Sequence, residues 1–96
     1  NARDEAVERG KRYLDAGADC VYPITVSDEE DVAALVAALG VVNVNLAPRS
    51  PSVARFAELG VARVSVGSGL HRIMTRQVVA VLTSLRDGDD SAFREA

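Results

Sequence analysis

The stretch Val41 to Leu70, VVNVNLAPRSPSVARFAELGVARVSVGSGL, decides the fold. It carries a strand, a polar loop, a helix, a second strand and a Gly-rich turn in that order, which is one βαβ unit. Val41, Val42 and Val44 have the β-branched character of a buried strand, and Asn43 and Asn45 interrupt it on the alternate face. Two amides on one side of a core strand need hydrogen-bond partners. In parallel α/β proteins, polar side chains near the carboxyl ends of strands are where ligands meet the sheet. Asn43 and Asn45 are therefore the first candidates for a binding site.

Working outward, the spacing of Val7, Gly10, Leu14 and Gly17 predicts a helix over Asp4 to Ala16, with charged residues on its remaining faces. Asp4 and Glu5 suit the positive end of its dipole. Cys20 to Tyr22 reads as a short strand ended by Pro23, and Ser27-Asp28-Glu29-Glu30 matches a capping box opening a second helix. Val32, Leu35, Val36 and Leu39 give that helix one packing face, and Gly40 ends it. After the strand at 41–46, Ser50 is expected as N-cap and Pro51 as first residue of a short helix running to Leu59. Gly60 stops it, Arg63 to Val66 forms the next strand, and Gly67-Ser68-Gly69 turns into a last helix stopped at Gly88. The polar remainder, Asp89 to Ala96, is expected to be frayed or held by a partner.

The layout repeats. Asp15-Ala16-Gly17-Ala18-Asp19-Cys20-Val21 and Glu58-Leu59-Gly60-Val61-Ala62-Arg63-Val64 both place a helix-stopping Gly four residues before a strand valine. Strands begin near Cys20, Val41 and Arg63, about a βα module apart, with no hairpin signal between them. This is the pattern of an α/β chain with parallel strands and outer helices, part of a (β/α) barrel. A complete (β/α)8 barrel takes roughly 250 residues. With 96, the chain holds three full strands and a stub at Asn1 to Arg3, too few to close, and is expected to be a portion of a larger protein.

A 48% hydrophobic content with 26% charged residues is ordinary for a globular domain. The apolar runs are too short to span a bilayer and the N-terminus lacks a signal-peptide layout, so a cytoplasmic, membrane-free protein is expected. A formal charge of −3, with charges spread through helices, argues against nucleic acid as a partner. One cysteine and one histidine exclude an internal disulfide and a Cys/His zinc cluster. Cys20 lies in an apolar strand and reads as a buried structural thiol. His71 has no acidic or nucleophilic neighbour suggesting a triad or metal pair, and reads as a surface or interface residue.

Several motifs, in order, resemble the last third of the isocitrate lyase / phosphoenolpyruvate mutase superfamily. They are Asn43-Val44-Asn45 with Pro48, Pro51-Ser52-Val53, Glu58 to Ser65, and Gly67-Ser68-Gly69-Leu70. Upstream, Asn1-Ala2-Arg3 is similar to the family's Asn-Ala-Arg strand end, and Arg9-Gly10-Lys11 through Asp19 resembles the helix and turn that follow. The resemblance extends to about Gly88. It implies that residues 1–96 form one incomplete barrel domain, from about the end of strand 5 to helix 8 of a (β/α)8 TIM barrel. The family carries a variable loop after its Asn-Ala-Arg, whereas here Arg3 runs straight into Asp4.

The resemblance implies a substrate-binding role for Arg3, whose guanidinium offers a planar fork suited to a carboxylate, and for Asn43, which matches the family's carboxylate-holding strand asparagine. Asn45 stands where an apolar residue is commoner and, with Thr25 and Ser68, is a secondary candidate. The alternative for each asparagine is to cap backbone groups of the next loop. Gly67-Ser68-Gly69 suits either an anion on backbone N–H groups or close strand-to-helix packing. Ile24 stands where relatives carry Glu or His, and it can neither take a proton nor pair with a charge. The family's divalent cation, usually Mg2+, is held by residues outside this sequence. Asp28, Glu29, Glu30 and Asp31 are explained by capping and dipole effects without a metal.

The implied function is part of a Mg-dependent lyase or phosphonomutase-like enzyme acting on a C–C or P–C bond of a small α-keto or hydroxy carboxylate. A non-catalytic barrel fragment or relative, kept for assembly only, is the alternative. Another (β/α) family with a phosphate site at Gly67 to Gly69 is a third. The last helix bears Ile73, Met74, Val78, Val79, Val81, Leu82 and Leu85, more apolar surface than one face needs, with Met74 and Val79 read as lying off the main stripe. In the resembling family this helix is exchanged between subunits, which implies a homodimer or homotetramer. Packing of Met74 and Val79 against earlier helices of the same barrel is the alternative.

Overall fold

A computed structural model describes residues 1–96. Its elements are α1 (Ala2–Asp15), α2 (Glu29–Leu39), β1 (Asn43–Asn45), α3 (Val53–Glu58), β2 (Arg63–Ser65), α4 (Gly69–Arg86) and α5 (Ser91–Arg94). β1 and β2 pair in parallel, Asn43 opposite Arg63, Val44 opposite Val64 and Asn45 opposite Ser65. On the other side of β1, Val21 makes a single parallel bridge to Val42. Val21 N–H donates to Val41 O at 3.0 Å, and Asn43 N–H to Val21 O at 2.9 Å. The expected strand Cys20 to Tyr22 thus shrinks to one bridged residue, but all observed pairing is parallel and follows chain order.

The core lies between the sheet and the first three helices. Val32, Leu35 and Leu39 of α2 bury against Val21, Val42, Val44 and Phe56, and Val7 and Leu14 of α1 pack around them. The expected apolar faces of α1 and α2 are therefore the ones used. Gly10 lets the two helices close up, because a Cβ there would meet Leu39 Cδ1 at 2.6 Å.

Local capping differs from expectation at three starts. Asn1 is the N-cap of α1, its Oδ1 accepting from Asp4 N–H at 2.9 Å, so the strand stub over Asn1 to Arg3 is helix instead. A good cap followed by acidic residues makes these residues satisfactory helix starters. In α2 the cap is Asp28, not Ser27, because one carboxylate oxygen reaches both Glu30 and Asp31 N–H. In α3 it is Ser52, not Ser50; Ser50 Oγ is occupied with the Ala47 N–H and C=O, and Pro51 lies outside the helix.

α4 projects from this body. The radius of gyration is 19.0 Å, against about 12–13 Å for a compact chain of this length. None of its residues is buried. Met74, Val78, Val81 and Leu85 follow one another at four, three and four residues, so Met74 belongs to the main stripe after all; Val79 lies off it. In the tail, Asp89 accepts from the Ser91 backbone N–H and hydroxyl just ahead of the short, exposed helix α5.

Candidate functional site

β1 alternates as a two-sided strand must. Val42 and Val44 are fully buried against the helices, and Asn43 and Asn45 point to the opposite face. Residues opposite one another in a parallel pair share a face, so the register brings Arg63 and Ser65 of β2 beside the two asparagines. Asn43, 0% exposed, accepts at Oδ1 from Arg63 Nε at 3.0 Å and from Ser65 Oγ at 3.1 Å. Its Nδ2 is buried and has no partner, and the same holds for Asn45 Oδ1. A buried unpaired polar atom costs about 1–3 kcal/mol. Such atoms mark places where a ligand or water completes the bonding.

The chain turns directly beyond this cluster. Gly67 has φ +52 and lies so close to Asn45 that a Cβ would stand 3.0 Å from Oδ1. Ser68 sits at the start of α4 without a side-chain capping bond, and its Oγ accepts from Arg72. Beyond the strand ends opens a cleft of about 380 Å³, lined among others by Leu46, Pro48, Val66, Leu70, Arg72 and Arg76. It is mostly apolar, with two cations at its rim.

The other candidates lie elsewhere. Arg3 is in the first turn of α1 and not at a strand end; its guanidinium donates to Glu30 at 3.2 Å and to Asp31. The hydrogen bonds to Asp31 and then Glu30 hold its pKa above the ordinary arginine value. Thr25 carries a positive φ of 70, unusual for a β-branched residue, and Ile24 beside it is 70% exposed. Thus Asn43, Asn45 and the turn bearing Ser68 come together, and Arg3 does not join them here. Arg63 and Ser65 are site residues that the sequence alone does not single out. The signal was their period-two placement opposite the asparagines, which needs the register before it can be read.

The acidic residues at the start of α2 are all engaged. Asp28 caps, Glu30 and Asp31 bind Arg3, and Glu29 takes Arg55 at 3.0 Å. The Arg55 hydrogen bond holds the Glu29 carboxyl below its usual range, and Glu29 in turn, followed by Glu58, holds Arg55 above its own. No group of three or more His, Cys, Asp and Glu residues is placed to hold a metal ion. The residues present do not fit the divalent cation that the resemblance implies.

The family model for phosphoenolpyruvate phosphomutase matches residues 1–86. The chain belongs to that family. It is similar to a crystal structure from Burkholderia cenocepacia J2315 of a protein described as a lyase/mutase, with 34% identity and a TM-score of 0.82 over 98% of this chain and 35% of that one. A second structure from the same organism, described as a phosphonomutase, shares 30% identity with a TM-score of 0.80, covering 85% of this chain and 33% of the other. This member of the phosphoenolpyruvate phosphomutase family therefore spans about a third of the length of those structures. No curated protein matches it. No helix is long and apolar enough to cross a membrane.

Proposed function

We propose that this chain is the C-terminal portion of a (β/α)8 barrel enzyme, from about the end of strand 5 to helix 8. The enzyme makes or breaks a C–C or P–C bond in a small α-keto or hydroxy carboxylate. Family membership over residues 1–86 and the parallel strands in chain order support the reading. The single observation that carries the site is Asn43 Nδ2, a buried donor without a partner on the polar face of β1. Donors of this kind suit the oxygen of a carboxylate or of an enolate that develops during the reaction.

In this reading Asn43 binds and orients the carboxylate. Asn45 shares its face, the Gly67 turn adjoins Asn45, and Ser68 in that turn is proposed as a further contact. Thr25, apart from the asparagines in the present arrangement, is proposed as a further hydroxyl ligand. Arg3 is proposed as a second carboxylate ligand; in the present arrangement its fork is taken by Glu30 and Asp31, so that role requires exchange of those partners. Mg2+, which would be held by residues outside this chain, would supply Lewis-acid chemistry. Asn43→Ala in the full-length protein should weaken pyruvate binding in a calorimetric titration; unchanged affinity would sink the assignment.

Ile24 favours a second reading. It occupies the place after the strand proline with a side chain that cannot transfer protons, so a relative retained for assembly alone fits that residue equally well. Turnover of a phosphonate or carboxylate substrate by the full-length protein separates the two. We propose a homodimer, or a pair of dimers, joined by exchange of α4, whose apolar residues Ile73, Met74, Val78, Val79 and Leu82 are all more than half exposed.

A further inference from the structure

The side of Asn43 that faces a ligand is decided by its neighbours on β2. Asn43 Oδ1 accepts from both Arg63 Nε and Ser65 Oγ, which uses both of its lone pairs. Rotating the amide by half a turn would set its NH2 group against Arg63 Nε–H. Arginine has no acceptor to offer, so that orientation loses one bond and adds a donor-to-donor contact. The remaining atom, Nδ2, is buried and unpaired. Asn45 provides the contrast on the same face: no side-chain hydrogen bond fixes its amide, so its two ends are not distinguished.

Resting on the reading of Asn43 as the carboxylate-holding residue, we propose that Arg63 is a positioning residue. Together with Ser65 it locks the Asn43 amide with its oxygen turned to β2 and its donor end left unpaired, so that the site selects an acceptor group, a carboxylate or enolate oxygen. Arg63 reaches Asn43 from the directly opposite register position, and its side chain forms no salt bridge that would draw it elsewhere. The guanidinium charge also polarises the amide, making the unpaired N–H groups better donors. Ser65 completes the lock from two residues further along the strand.

The test is a double-mutant cycle on pyruvate affinity in the full-length protein, in magnesium-containing buffer, using Asn43→Ala, Arg63→Met and the two combined. Arg63→Met should weaken binding on the order of tenfold, the size usual for losing an outer partner of a ligand-binding group. In the Asn43→Ala background, Arg63→Met should cause no further loss, because its effect passes through the amide. Additive losses would overturn the proposal by showing that Arg63 meets the ligand directly, and an unchanged affinity for Arg63→Met would overturn it outright; in both cases Asn43 remains a ligand residue. If Asn43→Ala itself leaves pyruvate affinity unchanged, the site reading fails and this proposal with it. Should Arg63→Met fail to fold, Ser65→Ala carries the same cycle with the same required non-additivity.

Discussion

A methyl group at Gly10 would lie 2.6 Å from Cδ1 of Leu39 and 2.9 Å from its Cδ2, so α1 passes α2 at a separation set by the missing side chain. Alanine in a helix interior is favoured over glycine by about 1 kcal/mol. Overpacking a core costs about 1–3 kcal/mol. Leu39 is buried and is flanked by Val21, whose Cγ1 would stand 3.3 Å from the same methyl, which limits its escape. Gly10→Ala should therefore destabilise by about 1 kcal/mol in urea denaturation. In a Leu39→Val background the clash is relieved and the same change should stabilise. A stabilising Gly10→Ala in the wild-type background would show that the helices have room to part.

Thr25 tests backbone strain away from the asparagine cluster. Its φ of 70 puts a β-branched side chain in the left-handed region, where crowding of Cβ costs roughly 1–2 kcal/mol. Thr25→Gly removes that crowding and adds unfolded-chain entropy, so a net gain of up to about 1 kcal/mol is expected from thermal unfolding. If Thr25 also supplies a hydroxyl to the ligand, the stabilised variant will bind pyruvate less well. A variant that is less stable than wild type would refute the strain.

How much of this was legible in advance divides by the range of the interaction that decides it. The helices α1 and α2 were readable because Val7, Leu14, Val32, Leu35 and Leu39 recur at helical spacing, and the core uses those faces. The strands were readable as β-branched runs, and their parallel order followed from the missing hairpin signals. Caps were misplaced at Ser27 and Ser50 because several neighbouring residues could cap, and the choice depends on loop geometry two residues away. Arg3 was read as a strand end from resemblance, yet Asn1 and Asp4 satisfy a helix start locally. Of the candidate site, the two asparagines could be read from alternation alone, whereas Arg63 and Ser65 required the cross-strand register.

Acid should weaken the fold through Glu29 and Asp89. Arg55 lowers the Glu29 carboxyl, chiefly by hydrogen bonding, and Ser91 does the same to Asp89 with its hydroxyl and then its backbone N–H. A carboxyl lowered in the folded state adds stability above its unfolded pKa, and that contribution disappears as pH falls through the folded value. Arg55 stays charged throughout and adds no acid dependence of its own. Glu29→Gln should therefore narrow the stability difference between pH 7 and pH 3, measured by urea midpoints. Both groups are exposed, so salt should reduce the effect. An unaltered pH dependence would mean that the Arg55 pair is not formed in solution.

The helix α4 makes the sharpest prediction about assembly. Val78 lies on the stripe with Met74, Val81 and Leu85, while Val79 faces away, and both valines are more than half exposed. A helix exchanged between subunits is covered on both sides, so Val78→Glu and Val79→Glu should each weaken the dimer. A helix that merely lies along a partner hides one side, so only Val78→Glu should act. Light scattering of the full-length protein at micromolar concentration distinguishes the arrangements. A wild-type monomer would exclude exchange, and a dimer weakened by Val78→Glu but indifferent to Val79→Glu would replace it with one-sided packing.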